Sequence, residues 1–595
     1  MFTIVDNLIA DIDRAFTAVF GQPAGEISLQ PTRKEFPGHY TLVMFPYLRL
    51  TKSKPEESGQ LLGEKLQADS TLVKGYNVVK GFLNLEVADS AWVQVLNDLN
   101  THPDFGFKPA SGVEMMVEFS SPNTNKPLHL GHLRNNFLGY SVAKILEANG
   151  TRVHKVQIIN DRGIHICKSM LAWQKFGNGE TPEQAGIKGD KLVGNYYVKF
   201  DQEYKQQIAG LVASGMPREE AEKEAPIIKE AQAMLLKWEE KDPEIYTLWQ
   251  QMNQWVYDGF AATYQTMGVS FDKLYYESET YLLGKDEVQK GVDEGIFYRQ
   301  EDGSVWVDLT AEGLDRKLLL RADGTSVYMT QDIGTAIQRF RDFPKIHGQI
   351  YTVGNEQDYH FKVLFLILKK LGYAWAAHCY HLSYGMVDLP SGKMKSREGT
   401  VVDADDLMQE MFATAEEHTR ALGKIEGFTG EEAGRLYKTL GLGALKYFLL
   451  RVDPRKRILF DPQESIQFQG NTGPFIQYTH ARIVSILTRA EELGVAVDKV
   501  QDTDLQLAET EREGVKLLAE FGHKITEAAQ EYSPAIIAQY VFEVAKEYNR
   551  FYAELPIFNE PNPENLKFRV IYSKLVASVI KRGMSLLGIE VPDQM

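Results

Sequence analysis

The stretch "SSPNTNKPLHLGHLRNN" (residues 120–136) decides the fold, because a predicted strand ends in it and a predicted helix begins in it. The apolar run before it, "GVEMMVEFSS", predicts the strand, and Pro122 and Asn123 interrupt that pattern. From Leu133 onward, apolar residues recur at helical spacing until Asn149. A strand followed directly by a helix is typical of a parallel α/β sheet, in which ligands bind at this edge.

Two histidines, His129 and His132, flank the predicted helix start, with Gly131 between them. Helix N-termini offer free N–H groups and positive potential to phosphate, and a glycine lets a flat base or sugar approach the backbone. Imidazoles can donate hydrogen bonds to phosphate oxygens as well. Two histidines three residues apart are nevertheless more often surface residues or a weak metal pair, and zinc requires a third protein ligand that no neighbour obviously offers. These residues alone do not distinguish a phosphate-binding turn from an ordinary surface turn.

The chain of 595 residues is too long for one core, and three or four domains are expected. Its composition is that of a globular protein, with 44% hydrophobic and 25% charged residues. Two distant cysteines, Cys167 and Cys379, exclude a disulfide framework and suit a reducing cytoplasm. The N-terminal stretch lacks the basic region of a secretory signal, and no apolar run approaches about 18 residues. We therefore predict a cytoplasmic protein that does not span a membrane.

The net charge of −16 argues against a nucleic-acid partner, whose binding surface should be basic. The charge is unevenly distributed, however, because residues 201–300 hold 19 acidic and 10 basic residues. Residues 433–457 hold seven basic residues and one acid, and residues 566–582 hold five basic residues and no acid. An acidic chain can present a basic face locally, although a solvated helix surface explains either cluster alone about equally well.

Changes of pattern along the chain divide it into three predicted domains, at residues 1–110, 111–430 and 431–595. The middle domain alternates short strands with helices, and about residues 170–300 of it form a predicted helical insertion rich in Glu, Lys and Gln. The predicted fold class is α/β. It comprises a Rossmann-like parallel-sheet domain with this insertion, an α+β N-terminal domain and an all-α C-terminal bundle.

Two longer strings resemble a known family. "EFSSPNTNKPLHLGHLRN" (118–135) resembles the signature of arginyl-tRNA synthetases, with "HLGH" at the HIGH motif of class I aminoacyl-tRNA synthetases. "YGMVDLPSGKMKSREGTVV" (384–402) is similar to the segment that carries the KMSKS motif of that class, here at 393–397. The resemblance implies a Rossmann-like catalytic domain, and it implies ATP contacts from His129, Gly131, His132, His360, Met386 and Lys393.

The KMSKS-like motif departs from the family pattern at its third and fourth positions. The motif has serine and then lysine there, whereas this chain has Lys395 and Ser396. Many arginyl-tRNA synthetases also lack the second lysine, and in those the lysine just upstream of the histidine turn is thought to compensate. Lys126 stands in that place. The resemblance implies the catalytic residues Lys126, His129, Gly131, His132 and Lys393, and it leaves open whether Lys395 serves instead of Lys126.

Two further strings, "ADGTSVYMTQDIGTA" (322–336) and "GNEQDYHF" (354–361), resemble family segments near the amino acid. Because carboxylates match a guanidinium, the resemblance implies that Glu118 and Asp332, with Tyr328, bind the arginine head group. It also implies that Asn123 and Gln357 bind the α-amino end. Without the family pattern, Tyr328 and Asp332 one helical turn apart are more typical of an ordinary helix face.

The C-terminal strings "FQGNTGPFIQYTHARI" (468–483) and "MSLLGIEVPDQM" (584–595) resemble the anticodon-binding bundle of the family. Aromatic side chains there can stack on unpaired bases, although a buried core explains most of them equally well. The resemblance implies tRNA contacts from Tyr478, Tyr552 and Met595. The N-terminal domain resembles, more faintly, the family domain that touches the tRNA elbow, with Phe82 and Asn84 as candidates.

The resemblance implies arginine–tRNA ligase activity. ATP and L-arginine form arginyl-adenylate, and the arginyl group then passes to the 3′ end of tRNA(Arg). Mg²⁺ is expected with ATP, without a dedicated protein metal site, and a monomer that requires bound tRNA is expected. One alternative is another class I synthetase or a HIGH-bearing nucleotidyltransferase, which would not need Glu118 and Asp332. The other alternative is a tRNA-binding paralogue without catalytic activity. The intact motif residues argue against it, namely His129, Gly131, His132 and Lys393.

Overall fold

The structure is a computed structural model, and it describes residues 3–33, 35–389, 402–423, 427–501 and 505–595. Lys393, Lys395 and Ser396 of the KMSKS-like motif lie outside the described residues, so the roles considered for them stay predictions. Within the described ranges, no helix is long and apolar enough to span a membrane.

The N-terminal region is an α+β unit, as predicted. Its helices are α1 (Ile4–Phe20), α2 (Leu48–Thr51), α3 (Pro55–Asp69) and α4 (Asp89–Thr101). Its strands β1 (Leu29–Pro31), β2 (Tyr40–Val43), β3 (Val73–Val79) and β4 (Phe82–Val87) form an antiparallel sheet in the order β1-β2-β4-β3. Lys80 and Gly81, both with positive φ, form the two-residue turn between β3 and β4. This turn sets the register in which Asn77 lies opposite Asn84.

Five parallel strands form the central sheet: β5 (Glu114–Glu118), β6 (Arg152–Ile159), β7 (Lys273–Tyr276), β11 (Ile346–Gly354) and β12 (Cys379–Tyr384). Their order is β12-β11-β5-β6-β7. The predicted parallel sheet is confirmed, because β11 pairs in parallel with both β12 and β5, and β5 pairs in parallel with β6. The chain leaves β5 towards β6 on one side and later returns to β11 on the other, which opens a crevice at the carboxyl ends of the strands.

The helix that follows β5 is α5 (Leu130–Ala148), and most of its side chains are buried. His129 is its N-cap, so the helix starts at the histidine turn as predicted. Gly139 allows close packing against the end of the strand, because a Cβ at this position would come within 2.4 Å of the Phe119 Cβ. The helix therefore runs from the crevice into the middle of the molecule.

Six helices fill the segment between β6 and β7: α6 (Ile164–Phe176), α7 (Pro182–Ala185), α8 (Gly189–Ala213), α9 (Arg218–Glu224), α10 (Pro226–Glu239) and α11 (Pro243–Met267). The insertion is shorter than the predicted range of 170–300, because β7 already belongs to the central sheet and pairs with β6. This strand has only four residues, and its sequence, "KLYY", lacks the long apolar run that marks the other strands.

A small second sheet lies between β7 and β11 in the chain. Its strands are β8 (Tyr298–Arg299), β9 (Val305–Val307) and β10 (Lys317–Leu320), and the helices around it are α12 (Glu277–Thr280), α13 (Lys285–Asp293), α14 (Tyr328–Asp342) and α15 (Asp358–Lys370). The described 3₁₀ turns are Phe45–Tyr47, Thr310–Glu312, Asn355–Gln357 and Ala374–His378. The sheet packs its own apolar core against α14, including Val305, Leu319 and Ile333. This packing fixes the start of α14 at the crevice.

The C-terminal region is a helical bundle, as predicted. Its helices are α16 (Ala404–Ala421), α17 (Gly430–Leu450), α18 (Pro462–Ser465), α19 (Gly473–Glu492), α20 (Glu509–Ala519), α21 (Phe521–Glu531), α22 (Pro534–Glu554) and α23 (Pro563–Leu586). Two short parallel strands, β13 (Val387–Asp388) and β14 (Ile458–Leu459), connect it to the end of the central sheet. The predicted domain bounds at residues 110 and 430 stay predictions.

Candidate active site

The histidine turn is held by two reciprocal hydrogen bonds between side chains and backbone. The Gly131 N–H donates to His129 Nδ1, and the His129 N–H donates to His132 Nδ1, both at 3.1 Å. The two rings lie close together, with centroids 3.9 Å apart. Each imidazole therefore caps the helix, and the orientation of both rings is fixed by the protein itself.

The backbone N–H groups in the first turn of α5 already have partners. The Gly131 N–H is bound to an imidazole, and the Leu130 N–H donates to the Val402 carbonyl at 3.2 Å. The next two N–H groups donate to the His129 carbonyl. The expectation of free N–H groups for phosphate at this helix start is therefore wrong for these four residues. The imidazoles remain as the donors of the turn.

Burial keeps both imidazoles neutral. Burial, helped by the nearby Lys126 charge, lowers the pKa of His129 to about 4. Burial, with the charges of His129 and Lys126, also lowers the pKa of His132 well below its usual value. Because each Nδ1 accepts an N–H bond, the one proton of each neutral ring resides on Nε2. Each ring therefore offers one donor and no charge to an incoming anion.

A cavity of about 940 Å³ lies at the carboxyl ends of the central strands. It brings together all five residues predicted to bind arginine, and His360 with them: Glu118, Asn123, Tyr328, Asp332, Gln357 and His360. Five described residues that were predicted to be catalytic or to bind ATP do not line this cavity, namely Lys126, His129, Gly131, His132 and Met386. The histidine turn adjoins the cavity through Asn123, three residues before Lys126.

Asp332 and His360 contact each other in the wall of this cavity, with His360 Nε2 2.6 Å from Asp332 Oδ2. The side chain of Asp332 is 44% exposed, and Tyr328, one turn earlier on α14, is 77% exposed. Both side chains are therefore accessible from the cavity. Since Asp332 was predicted to bind arginine and His360 to bind ATP, their contact brings the two predicted subsites together.

Glu118 has a buried partner that the sequence pattern did not reveal. Its carboxylate forms an ion pair with the Arg339 guanidinium, and the two residues are 5% and 2% exposed. Burial raises the pKa of Glu118 despite the opposing effect of the Arg339 charge. The rings of Tyr275 and Tyr351 lie 5.1 and 5.8 Å from the guanidinium carbon. Glu118 is therefore not the free carboxylate that the prediction assumed.

Glu277, at the start of α12, is a further acidic residue in the same cavity. Burial raises its pKa, and the charge of Asp332 acts in the same direction, while the Arg162 charge opposes it. Sequence reasoning missed Glu277 because the four-residue α12 has no periodic pattern. Arg339 could have been found, since it lies seven residues, or two helical turns, after Asp332 on α14.

Lys126 lies in the turn between β5 and α5 and is partly buried. Burial lowers its pKa, and its charge in turn lowers the pKa of both histidines. No carboxylate of the described residues forms an ion pair with it. The turn packs on the insertion, where a Cβ at Gly194 would come within 2.8 Å of the Pro127 ring. The ammonium is therefore held near the imidazoles without a carboxylate from the described chain.

Arg134, two residues after His132, joins α5 to the strand segment that carries Met386. Its buried guanidinium donates to the carbonyls of Gly385 (2.7 Å), Met386 (3.4 Å), Pro454 (2.9 Å) and Lys456 (2.8 Å). Beyond the undescribed residues 390–401, the Ala404 N–H donates to the Leu128 carbonyl at 2.9 Å. The histidine turn and its helix therefore contact the chain on both sides of the KMSKS-like motif.

Similarity to known proteins decides the family. Residues 95–461 match the family described as tRNA synthetases class I (R), catalytic domain, and residues 476–595 match the DALR anticodon binding domain. The arginine–tRNA ligase of Bacteroides fragilis is 56% identical to this chain over 100% of both sequences. That of Amoebophilus asiaticus is 57% identical over 98% of both. The chain belongs to the arginyl-tRNA synthetase family.

The synthetase also shares its fold with solved structures. Thermus thermophilus arginyl-tRNA synthetase superposes with a TM-score of 0.76 at 23% identity, covering 99% of this chain and 100% of that one. Arginyl-tRNA synthetase from Plasmodium falciparum gives 0.72 at 18% identity, with 100% of both chains covered. At these identities the likeness concerns the fold alone. The predicted family, enzyme class and fold are confirmed, whereas the roles of single residues stay predictions.

The C-terminal bundle of the synthetase carries a cluster of aromatic rings around a guanidinium. The Arg482 guanidinium carbon lies 4.8 Å from the ring centroid of Tyr478 and 5.4 Å from that of Tyr552. Asn549 accepts a hydrogen bond from Arg482 and donates one to the Thr479 hydroxyl at 2.8 Å. Tyr552 is 43% exposed. The two tyrosines predicted to contact tRNA therefore share one surface, with Arg482 as a member that sequence reasoning missed.

Residues 587–595, here called the C-terminal tail, lie along α19 and end at Met595. The carbonyls of residues 588, 590 and 592 accept hydrogen bonds from the side chains of Lys446, Gln477 and His480. Met595 is partly buried against the core of the bundle. The tail thus connects α17 and α19 to the last residue predicted to contact tRNA.

Phe82 and Asn84 line a cavity of about 210 Å³ in the N-terminal region, together with Arg33 and Lys80. Asn84 is buried, and its Oδ1 accepts a hydrogen bond from the Thr41 hydroxyl at 2.6 Å. Phe82 is exposed on the rim. The two residues predicted to contact the tRNA elbow are therefore in one pocket, with two cationic side chains beside them.

Proposed function

We propose that the 940 Å³ cavity and the adjoining histidine turn form arginyl-adenylate from L-arginine and ATP, and that the chain transfers the arginyl group to the 3′ end of tRNA(Arg). The observation that carries this proposal is the convergence, in one cavity, of five residues from separate sequence segments that match the arginine-binding pattern. The full-length similarity to arginine–tRNA ligases supports the same reaction.

At the arginine end, Asp332 is the principal partner of the substrate guanidinium. Its carboxylate is exposed to the cavity, whereas that of Glu118 is already neutralised by Arg339. Tyr328 adds a hydroxyl one helical turn away on α14. Asn123 and Gln357, on the loops after β5 and β11, hold the α-amino end through their side-chain amides. A planar guanidinium with five donors needs acceptors of this kind around it.

At the ATP end, the arginine carboxylate attacks the α-phosphate, and the bond from that phosphorus to the pyrophosphate oxygen breaks. His129 and His132 each offer an Nε2–H donor to the phosphate oxygens, and Lys126 supplies a positive charge. Arg134 positions Met386, which is proposed to contact ATP, as is His360. Lys393 is proposed as a second cation. Mg²⁺ carried by the ATP phosphates would offset further charge there, while the donors of the histidine turn would hold phosphate oxygens.

In the second step, a ribose hydroxyl of the terminal adenosine attacks the activated carbonyl, and AMP leaves with the bonding electron pair. Holding adenylate and adenosine together in one site removes most of the entropic cost of this step. We expect tRNA to be required already for the first step. The direct test is pyrophosphate exchange with each amino acid, with and without total tRNA. Arginine-specific exchange supports the proposal, and exchange with another amino acid alone contradicts it.

The rate of adenylate formation should not follow the titration of an ordinary histidine. The pKa of His129 is lowered to about 4 and that of His132 is lowered well below its usual value, so neither ring titrates near the ordinary histidine pKa of about 6.5. Exchange rates measured from about pH 8 to pH 5 should therefore show no inflection near 6.5 due to these rings. An inflection there that disappears in His129→Asn would contradict the assignment.

The lowered pKa of His129 should also make the stability of the fold depend on pH. In the unfolded chain His129 takes up a proton near pH 6.5, whereas the folded chain does so only near pH 4. The free energy of unfolding should therefore fall as the pH drops from about 6.5 to 4, and this fall should be smaller in His129→Asn. Urea unfolding at several pH values measures the difference between the two proteins.

Replacing Tyr552 with alanine should raise the KM for tRNA while leaving the KM for arginine almost unchanged. Losing one base stack costs about 1–3 kcal/mol, which corresponds to about 5- to 150-fold. Phe176→Ala is a matched control, because Phe176 is 38% exposed and also lies beside a cation, Lys199, but on the insertion. Unchanged tRNA charging by Tyr552→Ala would show that this ring is only part of the surface.

We propose that Tyr478 and Met595 belong to the same anticodon surface as Tyr552, and that Phe82 and Asn84 contact an unpaired base at the tRNA elbow. The Phe82 ring is available for stacking, and the pocket beside it has the cations Arg33 and Lys80 for phosphate. We also propose a cytoplasmic monomer. Both cysteines are free thiols, which suits a reducing compartment.

A further inference from the structure

A second cavity, of about 720 Å³, lies where the catalytic domain, the insertion and the C-terminal bundle meet. Its walls are the last turns of α5, the end of α11 at Gly268, one face of α17 and the start of the C-terminal tail. None of the residues predicted to bind arginine, ATP or tRNA lines it, within the described part of the chain. The function proposed above therefore assigns no role to any residue that lines this cavity.

Most of the charged side chains of this cavity, which we call the basic pocket, are cationic. Four are positive and two are negative: Lys144, Arg435, Lys438 and Lys446 against Glu147 and Glu590. Lys144 pairs with Glu147 at 3.6 Å, and Arg435 pairs with Glu431 on the same helix at 3.2 Å. Among the described residues, Lys438 and Lys446 remain as cations without an ion pair, with Glu590 as the other carboxylate of the pocket. Three of the four cations belong to the basic cluster at residues 433–457 that the sequence shows in an otherwise acidic chain.

Lys446 is the most unusual of these residues, because its side chain is buried and has no carboxylate within ion-pairing distance among the described residues. It is 5% exposed, its Nζ donates to the Gly588 carbonyl, and the Phe137 ring lies 5.4 Å away. Burial lowers its pKa to about 8. The Glu590 charge acts on this ammonium from beyond ion-pairing distance and offsets the burial only in part, so an anion in the pocket would stabilise Lys446 further.

The basic pocket is too far from the histidine turn to serve the ATP phosphates. Lys144 lies twelve residues after His132 on the same helix, which corresponds to about 18 Å along the axis. A pyrophosphate leaving the active site is therefore not its ligand.

The pocket is linked to the proposed anticodon surface by hydrogen bonds through α19 and the C-terminal tail. The C-terminal tail lines the pocket at Gly588 and ends at Met595. Between them, the tail is hydrogen-bonded to α19 at Gln477, the residue next to Tyr478. Gln477 also donates to the carbonyl of Thr439, which lines the pocket. Only α19 therefore separates the pocket from an RNA strand bound at Tyr478.

We propose that the basic pocket binds phosphate groups of the tRNA backbone, next to the arm that the aromatic cluster around Arg482 contacts. This inference rests on the proposed function, since it assumes that tRNA is the substrate. Lys438 and Arg435 are exposed at the opening and meet the phosphates, and Lys446 supplies positive charge from the pocket floor. Contacts of this kind add affinity without reading sequence, and they make binding dependent on salt.

The test is the binding of unacylated tRNA to the full-length protein, followed by fluorescence anisotropy between about 50 and about 200 mM salt. Lys438→Ala should weaken binding several-fold at low salt and reduce the slope of log affinity against log salt by close to one. Lys438→Glu should have a larger effect, and Lys438→Arg should restore the wild-type slope. Lys223→Ala, an exposed lysine on the insertion, is the matched control and should keep the wild-type slope.

Lys446→Met tests the pocket floor and should also lower affinity, and thermal unfolding shows whether this variant is folded. If Lys438→Ala and Lys438→Glu keep both the affinity and the slope of the wild type, the proposal is overturned. Weaker binding with an unchanged slope also overturns it, because a phosphate contact must alter the slope. These outcomes require a wild type that charges tRNA with arginine. A wild type that does not do so instead refutes the proposed function.

Discussion

We expect Asp332→Asn to raise the KM for arginine by about 30-fold to a few thousand-fold and to change the KM for ATP much less. Removing one partner of a charge pair in a binding site costs about 2–5 kcal/mol, and each 1.4 kcal/mol is tenfold. Because the Asp332 side chain is 44% exposed, water weakens the interaction and the lower half of this range is expected. Asparagine has the same shape, so the contact with His360 and the fold are retained.

A control on the neighbouring helix separates this effect from a general change of charge. Asp358→Asn removes a carboxylate that pairs with His381 at 3.3 Å but does not line the arginine cavity. It should leave the KM for arginine within about twofold, since exposed pairs contribute less than about 1 kcal/mol. Equal increases of the KM for arginine and ATP in Asp332→Asn would show that Asp332 has no specific role with the guanidinium.

We expect Lys126→Ala to lower the rate of adenylate formation by about 10²–10³, with the fold intact and arginine binding nearly unchanged. The fourth position of the KMSKS-like motif is serine, so a cation is missing where charge accumulates on the α-phosphate and pyrophosphate. The Lys126 ammonium is near the imidazoles and has no carboxylate partner among the described residues. Lys175→Ala, a surface lysine paired with Glu230, should by contrast be nearly silent.

A rescue experiment distinguishes Lys126 from Lys395. Ser396→Lys, introduced into Lys126→Ala, should recover part of the lost rate, because it restores the lysine at the usual motif position. If Lys126→Ala is silent and Lys395→Ala is severely impaired, then Lys395 is the working cation. Pre-steady-state measurement of adenylate formation is the suitable readout, since product release can hide a change in the chemical step.

The parts of the fold that could be predicted are those with a local sequence pattern. The strand before Pro122, the helix after His129 and the apolar strands β6, β11 and β12 all have periodic or continuous apolar runs. The edge strand β7 has neither, and its place in the sheet depends on pairing with β6, more than a hundred residues away. Pairing at that distance leaves no trace in the local sequence.

The candidate active site also has residues that the sequence predicted and contacts that it did not. The family pattern led to Asp332, Tyr328 and Asn123, and the structure brings them into one cavity. It did not lead to the Arg339 partner of Glu118, because this ion pair depends on where the fold places the two residues, and the position of Arg339 two turns after Asp332 does not by itself reveal it. Nor did it show that both imidazoles cap their own helix, since that depends on the ring orientations.

The Glu118–Arg339 pair also constrains how this enzyme can evolve. Losing either member leaves an uncompensated buried charge, which costs about 3–5 kcal/mol of the roughly 5–15 kcal/mol that stabilise a typical domain. Selection should therefore remove single substitutions at either position. The ion pair could be replaced only by changing both residues together. Among descendants, the two positions should covary. Changes in amino-acid specificity should therefore arise at the exposed residues Asp332 and Tyr328, while the buried Glu118–Arg339 pair is retained.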